Sequence, residues 1–563
     1  MTVNVSKILS SFFNALLIAT LVCGLIQTTS MIVIAQSGLV VVIDSDTTWT
    51  KADSPYNITG PMLVNNGVTL SIEAGTIVNL NKYDLKVNGT LRAIGTATEN
   101  INFINGNKIE FSQYSNPWNE QICSGSIIQY SILNSCQIHA SVPVKLDNNI
   151  LMDVVVSDSS IVTNNEISGN VTAASSNIIS DNNIKGWVSI GVSTVISNST
   201  IEEDIIAKDA GVTNCYIAGS ISAEGCNISN NEIRQGITGT SLMITNNVVT
   251  VLDYLNPYND GAAIFLEGGT STISGNTITG GGYYYDLKLQ PTVPIGAIDL
   301  RSSSVTILDN IINGSGIRIS RDCGTLIITN NTINAGIFCS YTTWDNERRE
   351  YSVNTCEISG NAIIGNIEVN ANTLSVSNNN IIGERGTGID FSVRGQQLVT
   401  LKDNKISGYS TGILGDGNEI LIENNLIENN IRGIKCNGAT VIQNNTIANN
   451  DIGIYVKSSL TTIRYNNIEN NNSSIRLDET PNNIDSTNNW WGTTNIETIN
   501  LTIYDYKYDF NLGKVNFTPI LTDPNPNAEP EYALPIPEFS SWTILPLMLG
   551  IILGIVLVKK KIQ

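Results

Sequence analysis

One histidine, His139, is all that 563 residues contain. That scarcity removes a Ser-His-Asp triad and a Cys/His zinc centre, because both need imidazole at defined places. Charge is scarce too: Asp, Glu, Lys and Arg make up 14% of the chain against 41% hydrophobic residues. The 30 basic residues are outnumbered by 50 acidic ones, a formal net charge of −20. Nucleic acid and anionic lipid are thereby excluded as the main partner, since neutralising phosphate needs clustered Lys and Arg. Long helical patterning is missing as well. No segment keeps a 3.6-residue apolar period over ten or more positions, which excludes helical repeats. What remains in the polar half of the chain is mostly Asn, Ser, Thr and Gly, residues that suit turns and stacked strands.

A short motif, Asn-Asn-x-Ile or a near variant, recurs through the middle of the chain. Its last residue falls at Ile150, Ile167, Ile184, Ile201, Ile217, Ile233 and Val249, in steps of 17, 17, 17, 16, 16 and 16. Later copies end at Ile278, Ile312, Ile333, Ile363, Ile382, Ile406, Ile427, Ile447 and Ile468, with insertions lengthening the step. Each repeat carries two or three apolar-alternating pieces of a few residues broken by Gly, Asn or Ser. One such repeat cannot bury its own apolar face, so successive repeats must stack. Ile rather than Leu fills the recurring slots, which argues against leucine-rich repeats. A coil of three short parallel strands is left.

A second register supports the same architecture. Gly316-Ile317-Arg318-Ile319, Gly336-Ile337-Phe338-Cys339, Gly388-Ile389-Asp390-Phe391, Gly433-Ile434-Lys435-Cys436 and Gly453-Ile454-Tyr455-Val456 all read Gly-Ile-x-apolar. With a strand period of two, the Ile and the residue two further on point inward and the residue between them faces out. The Asn pairs are expected to form a ladder at a bend, where Asn tolerates the left-handed region and its amide reaches the neighbouring coil. Roughly twenty coils at about 4.8 Å each predict a rod on the order of 100 Å long.

Residues 40 to 515 resemble the right-handed parallel β-helix proteins of the pectin-lyase-like superfamily, especially archaeal surface proteins related to the NosD-type repeat family. The resemblance is carried by Asn57-Ile58-Thr59-Gly60-Pro61 and Gly67-Val68-Thr69-Leu70-Ser71-Ile72-Glu73-Ala74-Gly75-Thr76 at the start. At the end it is carried by Asn488-Asn489-Trp490-Trp491-Gly492-Thr493, similar to the usual last coil. It implies an all-β solenoid. It is weak for function, because the superfamily holds lyases, hydrolases, epimerases and adhesins. NosD relatives are associated with copper-site maturation, yet one His and six Met offer no ligand inventory for copper.

The ends suggest export and anchoring. Lys7, the apolar run Phe12 to Leu25 and the small or short residues Val33 and Ala35 before Gln36 read as a signal peptide over 1–35, with an uncleaved anchor as the rival reading. The β-helix is assigned to 36–515 and a Pro-rich spacer to 516–538, punctuated by Pro519, Pro524, Pro526, Pro530, Pro535 and Pro537. Phe539 to Val558 gives 20 nearly uncharged residues, enough for a helix of roughly 30 Å that spans a bilayer. The basic tail 559–563, with Lys559, Lys560 and Lys561, would stay in the cytoplasm and leave everything before it outside. The order Pro537-Glu538-Phe539, apolar span and Lys cluster also resembles the C-terminal sorting signals of archaeal surface proteins, which implies a tail that is cut and replaced by a lipid. The expectation is a single-pass, cell-surface chain.

Chemistry has few places to sit. The outward positions of the Gly-Ile-x-apolar strands are Asp299, Arg318, Phe338, Glu368, Asp390, Leu414, Lys435, Tyr455 and Arg476. Glu368 and Asp390 then fall on consecutive coils with Arg318 nearby, the one candidate catalytic cluster, matching the carboxylate pairs of glycosidases or the carboxylate-plus-Arg sites of lyases. Periodic exposure alone also produces such pairs, and Leu414 beside them weakens a catalytic cleft. Tyr283, Tyr284 and Tyr285 are candidate ligand contacts. The clusters Glu202-Glu203-Asp204 and Asp345, Glu347, Glu350 lack the spacing of a dedicated Ca²⁺ loop, so no cofactor is assigned, and Ca²⁺ has no motif to hold it.

Eight cysteines follow Cys23. Cys339 and Cys436 fall in inward slots and are expected as buried thiols, whereas Cys123 with Cys136 and Cys215 with Cys226 are the local pairs that disulfides would join. Among the Asn-x-Ser/Thr sequons, Asn57, Asn88, Asn500 and Asn516 are the candidate glycosylation sites. The leading expectation is a non-enzymatic binding, adhesion or envelope protein with a polysaccharide or envelope-protein partner. The alternative is a carbohydrate-active enzyme using Glu368, Asp390 and an Arg.

Overall fold

The computed structural model describes residues 39–251, 261–284, 293–342, 348–393 and 398–530. The expected signal peptide, membrane span and basic tail lie outside the described residues, as does Tyr285. Among the described residues no helix is long and apolar enough to cross a membrane.

The chain winds as a parallel β-helix. Each coil contributes a strand to three columns, which start at Val41–Ile43, Thr47–Trp49 and Tyr56–Asn57. Every rung pairs in parallel with its counterpart in the next coil, as Val154–Val156 does with Val171–Ala173 and then with Val188–Ile190. The strands are short because the pattern that makes them is short. Val154 and Val156 are buried while Val155 between them is exposed, and the next residues turn the corner. Sustained over the rod, this alternation builds one continuous apolar core. Each fully buried Ile contributes roughly 1.5–3 kcal/mol relative to exposure.

The bend between the second and third columns explains the Asn-Asn-x-Ile motif. Its first residue sits in the left-handed region, at φ 57° in Asn164, 57° in Asn330 and 56° in Asn424. That geometry favours Asn over branched or bulky residues. The second Asn turns inward and is buried, and its amide joins neighbouring coils. In the last coils the Oδ1 of Asn425 accepts both the backbone N–H and the Nδ2 of Asn404, at 2.9 and 3.0 Å. Asn425 passes the pattern on to Asn445 and Asn445 to Asn466. The fourth residue is the inward apolar one.

Two assignments shift by one position under this rule. Asn148 takes the left-handed bend, so the inward residue of its coil is Leu151, paired with Ile167, and Ile150 pairs with Glu166 on the outer side. Likewise Asn378 makes the bend, and the inward residue is Ile381 rather than Ile382. Runs of Asn and Ile blur the motif at both places, and only the backbone conformation identifies which Asn turns.

A second, shorter amide ladder lies on another bend, where Asn430, Asn450 and Asn471 stack. Beyond Trp490 and Trp491 the rod gains one further coil, with rungs at Ile503–Tyr504 and Val515–Asn516. The helix Ile496–Leu501 sits between, started by Asn495, whose Oδ1 accepts from the N–H groups of Glu497 and Thr498. The first part of the stretch expected as a spacer lies against the rod. The Asn488 N–H donates to the Pro519 carbonyl at 2.7 Å, the Asn525 N–H donates to Asn467 Oδ1 at 2.7 Å, and Ala528 is buried. Polar side chains left on the third column supply the partners that hold it there.

All eight described cysteines are free thiols. Cys339 and Cys436 are buried in the core, as their inward slots require. The two expected disulfides do not form, and the corners explain why. Cys215 takes a slot in the Asn ladder, its N–H donating to Asn231 Oδ1 at 2.9 Å. Cys226 occupies the bend between the first two columns, where its Sγ accepts the Ala210 N–H at 3.4 Å. Cys123 is exposed while Cys136 is buried. Burial pushes the thiols of Cys136, Cys339 and Cys436 up to about 12 and that of Cys215 to about 11, so they stay protonated and unreactive at neutral pH. A native thiol titration is expected to report Cys123 alone, with the buried seven appearing on denaturation without reductant. Fewer thiols in the denatured sample would mean that disulfides exist.

Candidate functional site

The outward residues of the first column form one file along the rod. From Phe265 it runs through Asp299, Arg318, Phe338, Glu368 and Asp390. It continues through Leu414, Lys435, Tyr455, Arg476 and Tyr504. Each step is one rung, about 4.8 Å. Glu368 and Asp390 are therefore direct neighbours in register, as the Gly-Ile-x-apolar spacing implies. Arg318 is separated from Glu368 by the Phe338 rung.

Outward does not mean exposed in the first half of this file. Asp299 is 1% exposed and Arg318 8%, and their side chains pair at 3.6 Å. Arg301 reaches the same carboxylate at 3.9 Å and lays its guanidinium over the Phe265 ring, 4.4 Å from the centroid. Ser320 Oγ donates to Asp299 and accepts from Arg301 Nε at 3.1 Å. Insertions flank this half of the file. One hairpin, Gly282–Tyr284 with Val293–Ile295, precedes the Asp299 strand, and a second, Ser340–Thr342 with Arg348–Glu350, follows the Phe338 strand. Val293–Ile295 and Ser340–Thr342 approach one another, and Gly296 packs so closely on Arg318 that a Cβ there would lie 2.8 Å from its backbone nitrogen. Arg318 thus serves a buried ion pair. Tyr283 and Tyr284 lie in the strand that begins the first hairpin.

The second half of the file is cationic, with Arg476 exposed and Lys435, Tyr455 and Tyr504 half-buried. Lys435 Nζ stands 5.3 Å from the Tyr455 ring centroid, and Arg432 stands 5.9 Å away. Arg476 lies 4.6 Å over Tyr504, which stacks on Tyr508 at 5.1 Å. Partial burial and a hydrogen bond to Asp478 raise the Tyr455 phenol above its usual range, so it stays neutral at any physiological pH. Beside this strip a recess of about 380 Å³ is lined by Arg476, Asp478, Glu479, Tyr504, Asp509 and Asn511. Tyr504 and Tyr508 escape a repeat-based reading because they follow the double Trp and belong to a coil interrupted by a loop. Arg432 escapes it because it lies outside the Gly-Ile-x-apolar frame.

Other expected features have structural uses. Asp204 Oδ1 accepts the Ser220 N–H at 2.7 Å, and Asp153 and Asp158 cap the next coil in the same way. No group of three or more His, Cys, Asp or Glu able to hold a metal occurs among the described residues. His139 sits in the outward file between Glu110 and Val155, and burial lowers its pKa. Of the sequons, Asn57 and Asn516 are exposed. Asn88 is half-buried and accepts from Ser112, and Asn500 is half-buried and accepts from Lys507.

The family model described as the right handed beta helix region matches residues 365–502, the stretch that contains the file from Glu368 to Arg476. None of the curated proteins matches the chain. Among solved structures, a tailspike double mutant of E. coli bacteriophage HK620 in complex with a pentasaccharide is similar at 11% identity. It covers 83% of this chain and 73% of its own, with a TM-score of 0.14. A single mutant of the same tailspike, also with pentasaccharide, gives 11% identity, coverage of 85% and 72%, and a TM-score of 0.16.

Proposed function

We propose that this protein is a cell-surface binding rod, held to the membrane by Phe539–Val558, that takes an extended polysaccharide along the outward file of its first column without cleaving it. The observation that carries this reading is the solvent-reaching strip Lys435, Tyr455, Arg476 and Tyr504, with rings and cations on successive rungs. Sugar rings pack along the edges of such a ring-and-cation ladder, and its cations pair with sugar carboxylates or sulfates. The strip is a line rather than a pit, so it suits a polymer and not a small molecule. Affinity for a panel of neutral and acidic polysaccharides tests the reading, with Tyr455→Ala and Tyr504→Ala together expected to weaken binding by about tenfold or more. Unchanged affinity in that double variant would remove the strip from the account, and no binding to any polymer would remove the function.

A second reading has one observation in its favour. Glu368 and Asp390 stand on adjacent rungs, a backbone spacing of about 4.8 Å that suits the close carboxylate pair of a retaining glycosidase. Release of reducing or unsaturated ends, abolished by Glu368→Gln, would replace the binding-only reading with an enzyme.

A further inference from the structure

The C-terminal end of the rod exposes apolar side chains that the rest of the fold keeps inside. Ile503–Tyr504 and Val515–Asn516 are the last rungs, with no strand paired beyond them among the described residues. The helix Ile496–Leu501 and the loop 505–514 flank these last rungs. Phe510 is 93% exposed and Leu501 74%, with Tyr508, Ile496 and Tyr506 also open to solvent. Along the sides of the rod exposed apolar residues are spread over many coils, whereas these five fall within fifteen residues of chain. Lys507 and Lys514 accompany them, Lys507 held by Asn500 at 2.5 Å and Asp505 at 3.3 Å. Glu497 and Asp505 offset these lysines around a recess of about 370 Å³, while the exposed rings of Tyr506, Tyr508 and Phe510 are residue types that seat at a membrane–water interface.

We infer that this end of the rod docks on the bilayer that holds the chain's own apolar segment, so that the rod stands on its C-terminal cap with the sugar-binding file facing sideways. The inference rests on the anchoring part of the proposed function. The length of the chain allows it, although residues 519–525 run back along the rod from its last coil. Asn525 binds Asn467 and Asn444, and Ala528 is buried nearby, two to three coils short of the last rung, or roughly 10–15 Å. From residue 530 to Phe539 an extended chain reaches about 30 Å. The apolar segment can therefore begin at the plane of the cap.

The chain from Gln36 to Gln563 with Cys123→Ser, reconstituted in phosphatidylcholine vesicles, tests this through a nitroxide placed at Phe510→Cys. Tyr508→Cys serves as a second label should the first disturb folding, and Asp158→Cys is the mid-rod control. The buried thiols stay unlabelled. Collisions with oxygen, which concentrates in lipid, are expected to exceed those with a water-soluble nickel chelate several-fold at 510 and 508, with the reverse at 158. Equal nickel access at all three positions in vesicles that retain the chain through an alkaline wash overturns the docking. Mutual broadening between labels at 510 shows end-to-end pairing of rods and also overturns it. Loss of the chain in the wash removes the anchor and the docking together, and leaves polysaccharide binding standing or falling by its own assay.

Discussion

Asn404→Ala lowers the stability of the rod by about 3 kcal/mol or more, the effect expected when one amide serves five partners. Asn404 Nδ2 donates to the carbonyls of Val376 and Lys402 and to Asn425 Oδ1, and its Oδ1 accepts the N–H and Nδ2 of Asn379. Ala leaves these groups buried without a partner, at roughly 1–3 kcal/mol for each that cannot relax. Asn404→Asp is expected to do worse, since it turns an acceptor toward three oxygens. Stability in a stacked solenoid is close to nearest-neighbour, so hydrogen exchange should show the loss concentrated in the coils around residues 376–425, alongside a lower unfolding midpoint. The converse variant is Cys215→Asn. Asn231 Oδ1 there accepts the backbone N–H of Cys215, and an amide at 215 would add the missing side-chain bond, raising stability by about 0.5–1.5 kcal/mol. An Asn404→Ala protein as stable as the parent would show that the ladder sets register without adding stability.

Asp299→Ala is the second large effect. Its carboxylate is buried with Arg318, Arg301 and Ser320 gathered on it. Removing one partner of a buried pair costs about 3–5 kcal/mol, because the remaining charge keeps its desolvation penalty. Arg318→Met combined with Asp299→Ala is expected to recover much of that loss, since the buried guanidinium is removed together with its partner. Denaturation of the single and double variants decides the matter: recovery identifies a structural ion pair, whereas equal losses in both variants would mean that the cluster does more than pair charges. Binding at Tyr455 and Tyr504, several coils away, should survive in the double variant.

Much of the solenoid was legible in the sequence because its causes are local and repeated. The alternation in Gly433-Ile434-Lys435-Cys436 states which side of the strand each residue faces, and the structure places Ile434 and Cys436 in the core with Lys435 outside. Asn pairs announce a bend because few other residues take that backbone geometry. Legibility ended where two equivalent neighbours competed. At Asn378-Asn379-Asn380 the motif can be read in more than one frame, and the left-handed conformation of Asn378 settles it. The Cys215 and Cys226 pair looked close along the chain, yet a coil sends neighbours in sequence to different corners.

By itself, then, the sequence determined the β-helix, the core side of its strands, the amide-lined bend and the outward file from Asp299 to Arg476, since each follows from a short pattern repeated at coil spacing. Tertiary structure alone decided which members of that file meet solvent. Asp299 and Arg318 are buried, Lys435 and Tyr455 are half-buried, and Arg476 is exposed. Tertiary structure also laid residues 516–528 against the rod and turned Phe510 outward at its end. The path of an insertion depends on contacts with coils distant in sequence, and no periodicity encodes those.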